Sequence, residues 1–203
     1  MFEVLTGAGL AAAAGLNAYI PLLAIGLLSR FTDLVSLPAG WAWLENGWVQ
    51  IILGVLLIIE IVADKIPVMD SINDWIQTIV RPAAGGIVFG SGTVAQTATV
   101  TDPEKFFSSF AWVPIVLGIL LALTVHVGKT AVRPAANLAT AGIAAPVLST
   151  IEDIFSAVMS LVALLLPLLV IVGLAGLVVG GVALLRRMRH RRPDATPIPQ
   201  PGG

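Results

Sequence analysis

From Ile154 to Leu185 the chain runs for 32 residues without a charged side chain, and from Leu5 to Ser29 it does so for 25. Runs of this length exceed the roughly 20 residues that a helix needs to cross about 30 Å of hydrocarbon. The remaining composition agrees, with 57% hydrophobic and 11% charged residues. Soluble proteins carry roughly 25% charged residues. A water-soluble fold of 203 residues has too little interior to hide so much apolar surface, so the bilayer is the expected solvent. The expected fold class is all-α: a polytopic membrane helical bundle of about six hydrophobic segments, one or two of them re-entrant or broken. The bilayer is then the first partner.

The segments can be laid out in order. Leu5–Ser29 is rich in Gly and Ala, which lets neighbouring backbones approach closely. Asn17 and Tyr19 are its polar members and Pro21 is a candidate kink. The second span is Trp48 to about Ala63, beside an interfacial belt of Trp41, Trp43 and Trp48. Asp64–Trp75 reads as an acid-rich linker. The third segment is weak: Ile76–Val80 is apolar, Arg81-Pro82 interrupts it, and Pro82–Thr101 is uncharged but full of Gly, Ala, Ser and Thr. Proline favours a first helical position, so a helix start at Pro82 and a half-span over 76–96 are expected. GGIVFGSG (85–92) has no strand before it and reads as close helix packing. Phe106, Phe107, Phe110 and Trp112 form a second aromatic belt before a span from about Phe110 to Gly128. Residues 130–150 contain either a poor fifth span or a re-entrant loop. The 32-residue run must tilt, kink at Pro167 or break. At 1.5 Å per residue it is about 48 Å long. Residues 193–203 are Pro-rich and expected to be a disordered tail, leaving 1–192 as one membrane domain.

Two stretches are written twice. WVQIILGVLL (48–57) matches WVPIVLGILL (112–121) at an offset of 64, which also aligns Lys65 with Lys129. PVMDSINDWI (67–76) matches PVLSTIEDIF (146–155) at an offset of 79. These imply an internal duplication with copies at about 48–96 and 112–185. The acids Glu60 and Asp64 become Thr124 and Gly128 in the second copy, so the charged positions diverged while the apolar frame stayed.

The charges inside apolar segments carry the functional reading. An acid at the bilayer centre costs roughly 2.5–3.5 kcal/mol on insertion scales, so Glu60 needs a partner, a proton or water. Asp64 lies one turn on, on the same face. Either Glu60 and Asp64 line a polar path and bind a cation or a proton, with Lys65 or Arg81 as counter-charge, or Glu60 simply pairs with an arginine and locks two helices together. Arg81 and Arg133, each in a VRPAA string, would present helix-start N–H groups to a phosphate or carboxylate, or simply anchor the cytoplasmic face. His126 and Lys129 lie near the end of the same span, and Asn17 is a further polar-cavity candidate. Asp70, Asp74, Glu152 and Asp153 are the candidate ion-pair partners.

Other classes lose ground. The chain has no cysteine and two histidines, which gives no thiolate and no metal site. No GxSxG, HExxH, P-loop or dinucleotide motif occurs, so neither an enzyme nor a cofactor is expected. A net charge of −1 gives no reason to expect a nucleic-acid partner. Five of the eleven basic residues lie between Arg186 and Arg192. The positive-inside rule then favours six crossings with both termini cytoplasmic.

Three stretches carry a family resemblance: GLNAYIPLLAIGLLSR, EIVADKIPVMDSINDWIQTIVRPAAG, and PVLSTIEDI followed by a Leu-rich helix and an Arg tail. Together they resemble the bacterial membrane family catalogued as domain of unknown function 4126, over about residues 5–190. The resemblance implies a small polytopic inner-membrane protein and names no substrate. The expected function is a transporter or channel-like protein for a small solute or ion, open to homo-oligomerisation. A membrane scaffold or assembly partner and an anionic-lipid-handling protein are the alternatives.

Overall fold

A computed structural model describes residues 2–92, 110–140 and 144–190, with side chains throughout except at 67–72, 135–139, 144, 184–185 and 187–190. The Asp70 side chain, Phe106, Phe107 and the tail from 191 therefore lie outside the described residues. Within them the chain is all-helical. Its elements are α1 (Phe2–Leu16), α2 (Tyr19–Phe31), a 3-10 segment (Ala39–Glu45), α3 (Gly47–Ala63), α4 (Pro67–Gly92), α5 (Trp112–Ala139), α6 (Ala144–Leu165), a short 3-10 turn (Pro167–Leu169) and α7 (Val170–His190).

At the centre sits α1, because its Gly-Ala sequence has almost no side chain to keep neighbours away. Gly7 and every residue from Gly9 to Leu16 is buried. It packs on α4, α5 and α6. A Cβ on Gly15 would stand 2.6 Å from the Ala122 carbonyl oxygen, and one on Gly9 would stand 2.7 Å from the Ala163 Cβ. The α4–α5 crossing works the same way, with Gly85 and Gly86 laid against Gly118 and Ile119. GGIVFGSG is thus a close-packing surface, as its composition implies.

Leu5–Ser29 does not cross as one helix. It breaks at Asn17-Ala18, not at Pro21, and the two halves form a hairpin. The start of α1 lies beside the end of α4, with Gly7 against Phe89. The end of α2 returns to that same side, where Gly26 meets Leu44 and Trp41 meets Gly90. Neither helix, at 15 and 13 residues, reaches the roughly 20 needed to span. By length, the first apolar segment is thus two short apolar helices rather than one helix long enough to cross. The break survives because Asn17 Oδ1 accepts the N–H groups of Tyr19 (3.1 Å) and Ile20 (3.2 Å), two of the donors a new helix leaves open.

Other expectations move as well. No helix starts at Pro82: α4 runs through it for 26 residues, about 39 Å. Nor is 130–139 re-entrant, because α5 continues through Pro134. Proline removes one backbone bond from a helix interior, a loss that packing on neighbouring helices offsets. The 32-residue run breaks before Pro167, and α7 folds back so that Gly173 meets Met159. Trp112–Pro134 and Ala145–Leu165 are each long and apolar enough to cross a membrane. Gly47–Ala63 joins them if it is taken with the Ala39–Glu45 segment, from which it bends by 64°. On α3, Ile51, Ile52, Val55, Ile58, Ile59 and Val62 are all exposed along one face, whereas Gln50, Leu53 and Glu60 point inward. Such an apolar outer face with a polar inner one suits lipid outside and protein inside.

Candidate functional site

Most of the charges that stand out in the sequence meet at one buried place, between the end of α3, the middle of α4, the second half of α5 and the first half of α6. Glu60 is 1% exposed, Asp64 2% and Arg81 0%. Lys129, Arg133 and His126 are buried beside them. Charges so removed from water persist only when paired.

The pairing is a chain of shared partners. Arg81 Nη2 donates to Glu60 Oε1 at 2.8 Å and lies 3.8 Å from Asp64 Oδ2. Asp64 Oδ2 also meets Lys129 Nζ at 3.5 Å and Arg133 Nη2 at 3.3 Å. Both of those bases continue to Glu152 Oε2, at 2.9 Å and 2.7 Å. Arg133 Nη1 lies 3.9 Å from Asp74 as well. Each base therefore bridges two or more acids, and Asp64 is the hub, where three bases converge. Asn73 adds a 2.6 Å hydrogen bond to Asp64 Oδ1. Asp64 sits just past the end of α3. Burial pushes its carboxyl up, but Lys129, Arg133 and Arg81 outweigh that and hold it below the ordinary carboxylate range.

His126 has a fixed role. Arg81 Nη1 lies 3.1 Å from His126 Nδ1. A guanidinium can only donate, so Nδ1 must be the acceptor. The proton of the neutral ring is then on Nε2, 3.1 Å from Thr78 Oγ1, which in turn donates to the Asp74 carbonyl. His126 thus orients Arg81.

The broken helix ends in this cluster. Lys129 Nζ donates to the Leu16 carbonyl at 3.2 Å, at the C-terminus of α1, where a cation complements the helix dipole. Across the break, Asn17 Nδ2 donates to Asp153 Oδ1 at 2.9 Å. Ser156 Oγ donates to Ala13 O at 3.0 Å and holds α6 against α1.

Eight of the twelve candidates from the sequence thus share one network, and Asn17 and Asp153 pair with each other beside it. Lys65 does not join: it is exposed and donates to the Ile61 carbonyl. The Asp70 side chain is not among the described ones. Arg81 and Arg133 are inside helices rather than at helix starts, and they face carboxylates. The sequence reading missed Asn73, Gln77 and Thr78. Their signal was present, because Asn73, Asp74, Gln77, Thr78 and Arg81 recur at helical spacing. Reading Asp64–Trp75 as linker hid it. Among the described residues no group of His, Asp and Glu is arranged to hold a metal.

The fold and site define a class: an all-helical bundle with apolar outer faces, a broken first helix pair and a buried ionic network. Residues 4–187 match the family described as Domain of unknown function (DUF4126), and the chain belongs to that family. No curated protein and no solved structure matches it.

Proposed function

We propose that this protein moves a small solute or ion across a bacterial inner membrane, with the Glu60–Arg81–Asp64–Lys129–Arg133–Glu152 network as its coupling site and no enzymatic step. The observation that carries this reading is the break at Asn17-Ala18. A discontinuous helix pair whose two ends contact charged side chains, the buried Lys129 and the half-buried Asp153, follows a recurring transporter design. Shared partners support it too. Lys129 and Arg133 each reach both Asp64 and Glu152, so either can shift between the two acids without leaving one bare. An anionic lipid head group would have to compete with these carboxylates for Arg81 and Arg133, so transport is preferred over lipid handling.

A second reading has its own observation. The four ion-paired acids, Glu60, Asp64, Asp74 and Glu152, already engage the three bases at short range, as a helix-locking scaffold would. Purified protein in liposomes separates the two. Imposed gradients of protons, alkali cations and small organic anions are followed with entrapped dyes for wild type and Glu60→Gln. Transport requires a flux that Glu60→Gln abolishes while the variant elutes and melts as a folded protein. A folded wild type that moves none of these, together with a loss of stability in the variant, would favour the scaffold.

A further inference from the structure

We infer that Glu60 is a reversible proton-binding site, with Oε2 as the atom that takes the proton. This rests on the transport reading only for its use; the binding itself stands on geometry. Glu60 is only 1% exposed, and its two oxygens are unlike. Oε1 accepts from Arg81 Nη2 at 2.8 Å, whereas Oε2 has no hydrogen-bond partner among the described residues. A carboxylate oxygen left alone away from water is unfavourable, and a proton relieves it.

A second buried atom points the same way. Gln77, 2% exposed, lies one turn before Arg81 on α4, and its Oε1 also lacks a partner among the described residues. Tyr19, at the start of α2, is close enough to feel Gln77, Glu60 and Arg81. Two buried acceptors, Glu60 Oε2 and Gln77 Oε1, thus lack donors, and a proton on Glu60 satisfies the first. An alkali cation would need several oxygen ligands and would stand against Arg81; a proton needs one bond and no coordination shell.

The groups facing Glu60 are accounted for on each side. Arg81 comes from α4, Tyr19 from α2, Lys129 from α5, and Asp64 from the end of its own helix. His126 reaches Glu60 only through Arg81, and it is held as an acceptor there. No other carboxylate among the described residues has Arg81 as its nearest base, so the proton's effect is specific. One O–H bond forms at Oε2, the site gains one positive charge, and Arg81 keeps its own protons. Arg81 then finds a neutral acid at 2.8 Å and an ionised one, Asp64, at 3.8 Å. Proton uptake at Glu60 therefore shifts Arg81 toward Asp64, and that competes with Lys129 and Arg133 for the hub.

Infrared difference spectroscopy tests this without assuming transport. Full-length protein in lipid is titrated between about pH 5 and 8, where most proteins are at their most stable, and the C=O stretch of a protonated, buried carboxyl is followed. The expected result is a band that titrates in wild type and is lost in Glu60→Gln. If Glu60→Gln does not fold, Gln77→Leu decides, because it keeps every charge and should shift the band by changing the polar surroundings that Tyr19 shares with Glu60. No titrating carboxyl band, or a band unchanged in both variants, overturns the proposal. A titrating band with no flux in liposomes sinks transport and leaves the proton site standing. Flux without the band sinks the proton site alone.

Discussion

Removing Arg81 should damage this protein more than removing any one of its acids. Arg81→Met leaves Glu60 buried with no base in contact, because its 2.8 Å bond is to Arg81 alone. Asp64 is less affected, since Lys129 and Arg133 remain at 3.5 and 3.3 Å. His126 Nδ1 loses its donor as well. Breaking a buried pair from one side costs about 3–5 kcal/mol, so Arg81→Met is expected to lose about that much. Glu60→Gln should lose less, about 1–3 kcal/mol, because an amide oxygen still accepts from Arg81, which also keeps Asp64. Glu60→Met with Arg81→Met removes both charges and fills the space with similar volume, a change that is often neutral. The double variant should therefore be more stable than Arg81→Met alone, with a coupling of at least about 2 kcal/mol within the usual 0.5–3 range for contacting residues. The assay is a double-mutant cycle by reversible unfolding in mixed micelles at neutral pH. Additivity within about 0.5 kcal/mol would refute the claim that Arg81 chiefly compensates Glu60.

Three further outcomes follow from the packing and the charges. Gly15→Val should destabilise by about 1–3 kcal/mol or more, because its Cβ would meet the Ala122 backbone oxygen, whereas Gly54→Ala, with nothing within 4 Å, should gain about 0.5–1 kcal/mol; chemical unfolding of the two variants checks this. Asp64 is held low, so its contribution is complete above the unfolded carboxylate value of about 3.9 and is lost as pH falls through the lower folded value; Asp64→Asn should flatten the acid limb of a stability–pH curve, and an unchanged limb would contradict the hub assignment. Ile58→Arg, on the exposed face of α3, should raise the insertion free energy of that segment by about 2.5–3.5 kcal/mol in a glycosylation-tag insertion assay, and an unaltered insertion would mean that α3 does not face lipid.

Much of the site is legible in the amino-acid sequence, because charge in an apolar segment is rare and must be answered. Glu60, Asp64, Arg81, Lys129 and Arg133 stand out on that ground alone, and their meeting follows from the need to pair them. Gly85, Gly86 and the Ala-Gly run of α1 likewise declare close packing, since nothing larger fits there. Helix boundaries are another matter. Pro82 and Pro134 read as punctuation, yet α4 and α5 pass through both, because local preference is worth less than packing along a long helix. Asn17 is visible as a polar residue, but not as the point where the chain turns back.

What the amino-acid sequence determined by itself is the apolar, helical class and the list of groups that must be compensated. Those follow from composition and from the cost of burying charge, which are the same in any fold. What only the tertiary structure decided is who answers whom. Arg81 could have faced any acid in the chain; packing of α4 on α5 and on the end of α3 gave it Glu60 and His126. The α1–α2 break meets Lys129 and Asp153 across 113 and 136 residues of chain, distances at which local rules carry no information.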